Sequence, residues 1–467
     1  MPTMGRGLRS TICEVLRPSP DPANVTGGAA RDALVIRQGH VLTMDPQLGD
    51  IPGADVHVDG GRIVAVRPGL HVPGARVLDA RGMIVAPGLV DTHWHMWNTL
   101  LRSMSGDAPK PGYFRVSVEL GCAFGPDDIY QGTRLACAEA IGSGLTTVHD
   151  WCHNVRGQAH AEASLRALAE SGLRGRFSYG YAAGHANDVP MDLGGLARLH
   201  RDWDSRGGRL SLGMAWRGSG GSNPAMRVLP AVYRQEIEAA RTLGVPVSVH
   251  ACGPVSSAGQ IAALAQDGLL GPDLQVVHAN CATPAEIAQL AGAGATVSVS
   301  PFSEILIGYG LPRTGDFLAA GIPTGLSVDT TVLSGNADMF AIMKVAQGIA
   351  NARAQDEFAL TARRVLELAT IEGARSLGLA GEIGSLTPGK RADLILVETG
   401  SPNLGVFTDP AHMLVTAAQP ANVDTVMVDG QILKRGGVLT TLDPAQVSSE
   451  ARAALAGVRV RAASVTR

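Results

Sequence analysis

Two histidines one residue apart, His93 and His95, close the run "MIVAPGLVDTHWH". In an extended strand, residues i and i+2 project from the same face. The two imidazoles therefore leave the end of this strand together, an arrangement that suits a metal ion. Three more apolar runs end on a residue able to bind a metal or move a proton: "PVSVHA" on His250, "LQVVHAN" on His278 and "PTGLSVDT" on Asp329. One histidine at the end of an apolar strand is usually a satisfied core residue. Four of the chain's 13 histidines in such positions, together with an aspartate, point instead to one shared site.

The elements that must position these residues repeat along the chain. From about Pro87, eight apolar, β-branched runs alternate with stretches whose apolar residues recur at helical spacing. The runs are "IVAPGLVDTH", "LTTVHDW", "GRFSYGYA", "LSLGMAW", "PVSVHA", "LQVVHAN", "ATVSVSP" and "PTGLSVDT". Helical segments such as "DDIYQGTRLACAEAIGSG", "QEIEAARTLG" and "PAEIAQLAGAG" follow most of them. Eight strand-then-helix units predict an α/β chain with a closed (β/α)8 TIM barrel at 87–390. An open doubly wound sheet would show a glycine-rich dinucleotide turn after its first strand, and none is present. In such a barrel the reactive residues come from the C-terminal ends of strands, where the four histidines and Asp329 lie. Short alternating strands before and after the barrel predict a small β-sandwich domain from 33–86 and 391–467, because neither segment has enough strands to be stable alone. Residues 1–32 read as a flexible N-terminal extension with no assigned role.

Composition narrows the partners. The chain has 467 residues, is 45% hydrophobic and 17% charged, and carries a net charge of −3. That balance gives no electrostatic basis for binding nucleic acid or an anionic membrane. No apolar run reaches the roughly 18 residues of a membrane span, and the first thirty residues lack a signal-peptide core, so a cytoplasmic location is expected. The six cysteines form no CxxC pair and read as reduced, mostly buried thiols. A small-molecule substrate is the expected partner.

At this level of detail the sequence resembles the amidohydrolase superfamily, in particular its cytosine deaminase, guanine deaminase and triazine chlorohydrolase branch. The residues that carry the resemblance are "PGLVDTHWH", "VHAN" followed by "TPAEI", "GLSVDTTVLSGNADMF" and "LELATIEGARSLGLAGEIGSLTPGKRADLILV". It extends from about Ala33 to Leu442. The resemblance implies a mononuclear metal centre with His93, His95, His250 and Asp329 as ligands and His278 beside the metal. Two-metal members commonly bridge their ions with a carbamylated lysine. The four lysines here, Lys110, Lys344, Lys390 and Lys434, lie outside strands two to seven. One divalent transition metal per chain is therefore expected, zinc first, with iron or manganese as alternatives. The metal would lower the pKa of a water molecule, and Asp329 is placed to take that water's proton. Members are commonly oligomeric, so a homo-oligomer is expected.

One departure from the family pattern bears on the reaction. Deaminases of this branch usually carry a glutamate three residues after the strand-five histidine, and here Gly253 stands in "HACG". Glu304, in "SPFSEILIGYG", is the substitute proton donor that the sequence offers, with a solvated loop carboxylate as the equal alternative. For the substrate, Trp97, His153, Trp216 and Phe302 are candidate walls for a planar or aromatic ring, and Arg217 is a candidate clamp for an anion. His149, deeper in its strand, reads as a core or interface histidine. The leading expectation is hydrolysis of a C–N bond in a small cyclic or aromatic compound, with Asp329, His278 and Glu304 catalytic. Hydrolysis at C–Cl or C–S is the alternative that the glycine favours, and a metal-free scaffold is the non-enzymatic one.

Overall fold

A computed structural model describes residues 33–106, 111–220 and 227–465; the expected extension at 1–32 lies outside them. Five strands come first: β1 (Leu34–Leu42), β2 (Asp50–Asp59), β3 (Arg62–Arg67), β4 (Arg76–Asp79) and β5 (Met83–Pro87). Eight more follow with helices between them: β6 (Leu89–Val90), β7 (Leu145–Cys152), β8 (Arg174–Tyr179), β9 (Leu210–Trp216), β10 (Val247–Ala251), β11 (Leu274–His278), β12 (Thr296–Val299) and β13 (Thr324–Leu326). The last four are β14 (Leu394–Glu398), β15 (Val423–Val428), β16 (Gln431–Arg435) and β17 (Val438–Leu439).

Strands β6 to β13 pair side by side in chain order, all parallel. Every residue of β7 and β8 is buried. These strands are covered on both faces, so even their polar residues, His149, Asp150, Arg174 and Arg176 among them, are buried. The ring closes just past β6 and β13. Thr92 N donates to Leu326 O at 3.1 Å, Asp329 N to His93 O at 2.9 Å and His95 N to Asp329 O at 2.6 Å. This is the expected (β/α)8 barrel.

The run read as barrel strand one divides in two. Met83–Pro87 pairs with β14 in the other sheet, and the barrel begins only at Leu89. The switch falls at Gly88, where a Cβ atom would lie 2.1 Å from the Thr146 side chain. Only glycine lets the chain pass from one sheet to the other so close to β7. Helix starts follow local chemistry equally directly. In "TPAEI", the Glu286 carboxylate accepts the Thr283 amide at 2.9 Å while Thr283 Oγ1 accepts the Glu286 amide at 3.2 Å. This reciprocal cap, with Pro284 in the first turn, opens the helix Pro284–Ala293 after β11.

The N- and C-terminal segments form one mixed sheet in the order β17-β16-β15-β14-β5-β1-β2-β3, with β4 added on β1. Its own apolar core gathers Ile36, Val56, Ile63, Leu394, Leu396 and Met427. The final helix, Pro444–Val465, packs instead on the barrel helix Pro126–Gly142, with Arg134–Glu450 and Arg461–Asp128 ion pairs between them. Among the described residues no helix is long and apolar enough to cross a membrane.

Candidate metal centre

The C-terminal ends of the barrel strands bring His93, His95, His250 and Asp329 together, one ligand atom from each, all within 4.8 Å of one another. Asp329 Oδ1 is 3.3 Å from both His93 Nε2 and His95 Nε2, and His93 Nε2 is 3.1 Å from His250 Nε2. Ligand atoms about 2.0–2.1 Å from one tetrahedral ion would be separated by edges of this length. Burial pushes all three imidazoles well below their ordinary pKa, and the neighbouring imidazoles push them further. They are held neutral, which is the form that offers a lone pair to a metal. His95 Nδ1 lies 2.9 Å from the Trp151 carbonyl. As donor to that oxygen it fixes the tautomer that leaves Nε2 bare. The donor set fits a divalent transition metal.

Backbone geometry is unusual where the strands deliver these groups. Cys252, His278, Ala279 and Asp329 all have positive φ, at 50°, 77°, 54° and 62°. Side chains with a Cβ rarely adopt this conformation, and a cluster at one end of a barrel marks a site that holds its groups against strain.

Around the four ligands the side chains are tightly tied. His278 Nδ1 lies 3.2 Å from Glu304 Oε1. Burial lowers the His278 pKa, but the hydrogen bond to Glu304 and the nearby Asp329 and Glu304 carboxylates outweigh it and hold it above the ordinary value. Glu304 is fully buried; it also accepts the Ser300 amide at 2.7 Å and the Asn280 side-chain amide at 3.1 Å. It is not a solvated loop carboxylate, and it reaches the site through His278. His153 lies 4.2 Å from His95, centroid to centroid, and accepts the Trp97 indole N–H at Nδ1 over 3.4 Å. Burial pushes its pKa down to about 4. Trp97 and His153 thus stand beside the centre.

Three other candidates are placed differently. Trp216 is fully buried and donates its indole N–H to the Tyr233 carbonyl, on the helix Pro230–Leu243 that covers β9, at 3.2 Å. That holds it between strand and helix, with its indole N–H already committed. Arg217 pairs with buried Glu236 and donates to the Ala186 and Val189 carbonyls at 2.8 Å each. Its charge is already matched, so it does not offer the free cation that an anion clamp needs. Phe302 is half-buried at the edge of the core. His149 is the core histidine the sequence suggested, held between the Thr92 carbonyl at 2.9 Å and Ser178 Oγ at 2.7 Å.

Asp91 and Trp151 support the site without standing out in the sequence. Asp91 is completely buried and accepts the His93 amide at 3.0 Å and the Val328 amide at 2.7 Å, pinning both ligand-bearing strand ends. Its place two residues before His93, on the same strand face, is the signal that points to it. Trp151 lies 4.3 Å from the His250 ring and 5.2 Å from His95, forming the floor beneath the ligands. In the sequence it is one aromatic among several near strand ends.

A model of the amidohydrolase family matches residues 84–433. The chain is similar to a 5-methylthioadenosine/S-adenosylhomocysteine deaminase of Moorella thermoacetica, with 32% identity over 426 residues covering 87% of this chain and 96% of that one. It is also similar to a 5'-deoxyadenosine deaminase of Methanosarcina mazei, with 29% identity covering 90% and 97%. Among solved structures, an adenosine deaminase from Xanthomonas campestris with bound zinc superposes with a TM-score of 0.80 at 26% identity, covering 91% of this chain and 98% of that one. An atrazine chlorohydrolase from Arthrobacter aurescens complexed with zinc shares the fold, with a TM-score of 0.80 at 22% identity, covering 90% and 100%.

Proposed function

The chain belongs to the amidohydrolase family and is a hydrolase of carbon–nitrogen bonds other than peptide bonds; from that premise we propose that it deaminates a small planar N-heterocycle at a single zinc ion. The observation that carries this reading is the convergence of His93, His95, His250 and Asp329 beside the His278–Glu304 pair. Adenine nucleosides are the first candidate substrates, because the similar proteins named above act on 5'-deoxyadenosine and methylthioadenosine.

His93, His95, His250 and Asp329 would hold the ion, which when bound supplies the Lewis acidity that brings water's pKa towards neutrality. Asp329 accepts a proton from the attacking water at its carboxylate and hands it to the leaving nitrogen. His278, with Nδ1 committed to Glu304, presents Nε2 to the charge that develops as water adds to the ring carbon. Glu304 orients His278 and acts through it, as a positioning residue. Trp97 and His153 shape the near wall and exclude water.

Gly253 favours a second reading. With no carboxylate there to protonate a leaving group, a chloride or thiolate, which departs without a proton, is a suitable alternative. Both readings are tested with metal-replete protein and a panel of aminopurine nucleosides, aminopyrimidines and aminotriazines, with chlorinated and thiolated rings beside them. Ammonia release that disappears in His93→Ala together with the metal supports deamination. Chloride or thiol release without ammonia supports the second reading, and no turnover of any ring overturns both.

A further inference from the structure

The loop after β12 contains "GYG", Gly308 to Gly310, and the roles assigned so far do not use it. Its tyrosine sits on the residue where the sequence departs from its family. A Cβ built on Gly253 would meet Tyr309 Cε2 at 2.7 Å, Cδ2 at 3.0 Å and Cζ at 3.3 Å. The ring therefore rests on the bare backbone that follows the His250 strand, in space that any side chain at 253 would take. Gly308 and Gly310 flank it with φ of +81° and +102°, backbone conformations that side chains with a Cβ rarely adopt. The Tyr309 amide donates to the Glu304 carbonyl at 2.8 Å, so the turn is tied to the short helix that carries Glu304. On its other side the ring meets His278 edge-on, 5.2 Å between centroids at 81°. Three glycines and a backbone hydrogen bond thus place one phenol beside the site.

Resting on the deamination reading, we propose that Tyr309 is a substrate-positioning residue whose hydroxyl donates a hydrogen bond to a ring nitrogen of the bound heterocycle. Among the described residues that hydroxyl has no protein partner, and the residue is only half-buried, so the group is free to meet a ligand. Burial, with the Asp329 and Glu304 carboxylates close by, raises the phenol's pKa and keeps it protonated. A neutral phenol is a donor that binds an acceptor without surrendering its proton, which a carboxylate in the same place would not be. The site then selects rings with an unprotonated acceptor nitrogen. A planar ring lacking that nitrogen leaves the hydroxyl unpaired on binding, and a site built around a donor rejects such an analogue.

The test compares the apparent affinity for adenosine with that for its 1-deaza, 3-deaza and 7-deaza analogues, each lacking one ring nitrogen, on the zinc-loaded protein, read as KM or Ki where ammonia is released and by calorimetry where it is not. Wild type is expected to prefer adenosine over at least one analogue by about tenfold. In Tyr309→Phe, which keeps the ring, that preference falls to near one, while affinity for the deaza partner, metal content and melting temperature stay unchanged. Gly253→Ala, which keeps the hydroxyl but displaces the ring, loses the same preference. A Tyr309→Phe variant that retains the preference, or weakens all four ligands equally, overturns the proposal, as does a wild-type protein with no preference. Ammonia release by wild type is measured in parallel. If no ammonia appears but the preference depends on Tyr309, deamination fails and the tyrosine's role stands. If ammonia appears without a Tyr309-dependent preference, deamination stands and the tyrosine's role fails.

Discussion

Glu304 accepts hydrogen bonds from His278, Asn280 and the Ser300 amide, and its role is to keep one imidazole aimed at the reacting atoms. Replacing it by glutamine preserves the shape and removes the charge that His278 faces. Glu304→Gln is expected to lower kcat by about 10- to 100-fold, the usual consequence of removing an orienting partner. Metal content and KM stay unchanged, read by elemental analysis and steady-state kinetics. A variant that loses its metal would instead make Glu304 part of the ligand framework. At this scale the sequence is legible where chemistry coincides with a strand end. His93, His95, His250, His278 and Asp329 each close an apolar run, and the barrel geometry then dictates that they meet. Partners that lie across the fold are not legible. Glu236 appears in the sequence as one polar position of an amphipathic helix, and nothing in its spacing shows that it neutralises Arg217.

Strand β7 shows what a single element must accommodate to keep the centre dry. All eight of its residues are buried, and among them is Asp150, whose carboxylate accepts the hydroxyl of Ser164 on the helix Gln158–Ser171 at 2.5 Å. Burial raises its pKa to about 7. Between the unfolded value near 3.8 and that folded value, the folded chain keeps a proton that the unfolded chain has released. Its contribution to stability is therefore fully present below pH 4 and falls as pH rises towards 7. Asp150→Asn removes this dependence. The melting temperature of the variant relative to wild type is expected to rise between about pH 4 and pH 7 and to level off above that, and a constant difference across that range would contradict the assignment. Element identity is readable from the sequence because short β-branched and apolar runs alternate with stretches of helical spacing. The division of the first run at Gly88 is not, since the two halves are equally apolar and only a close approach to Thr146 in three dimensions separates them.

For the molecule as a whole, the joint between barrel and small domain contains a buried guanidinium, Arg174, facing the carboxylates of Asp393 and Asp429. Arg174, opening β8, donates to both carboxylate oxygens of Asp393, at 2.6 and 3.1 Å, just before β14. Both side chains are at most 3% exposed, and Asp393 also accepts the Asp429 amide at 2.7 Å. Asp393→Ala leaves the buried guanidinium with only Asp429, at 3.9 Å, as a carboxylate partner, and is expected to cost about 3 kcal/mol of stability. The joint lies at the N-terminal end of the barrel strands, opposite the reactive groups, so metal content per folded chain is expected to be unchanged. Thermal unfolding followed with metal analysis checks both. A last consequence belongs to the seam that closes the ring. Thr92 and Leu326, hydrogen-bonded across it, are 234 residues apart, and the ligands His93 and Asp329 flank the same seam. Such a distant pairing forms late, because a long loop must be closed before its contacts are gained. A nascent chain still emerging from the ribosome has three imidazoles but neither a sealed cylinder nor its carboxylate, so the ion can be captured firmly only after the eighth strand has been synthesised.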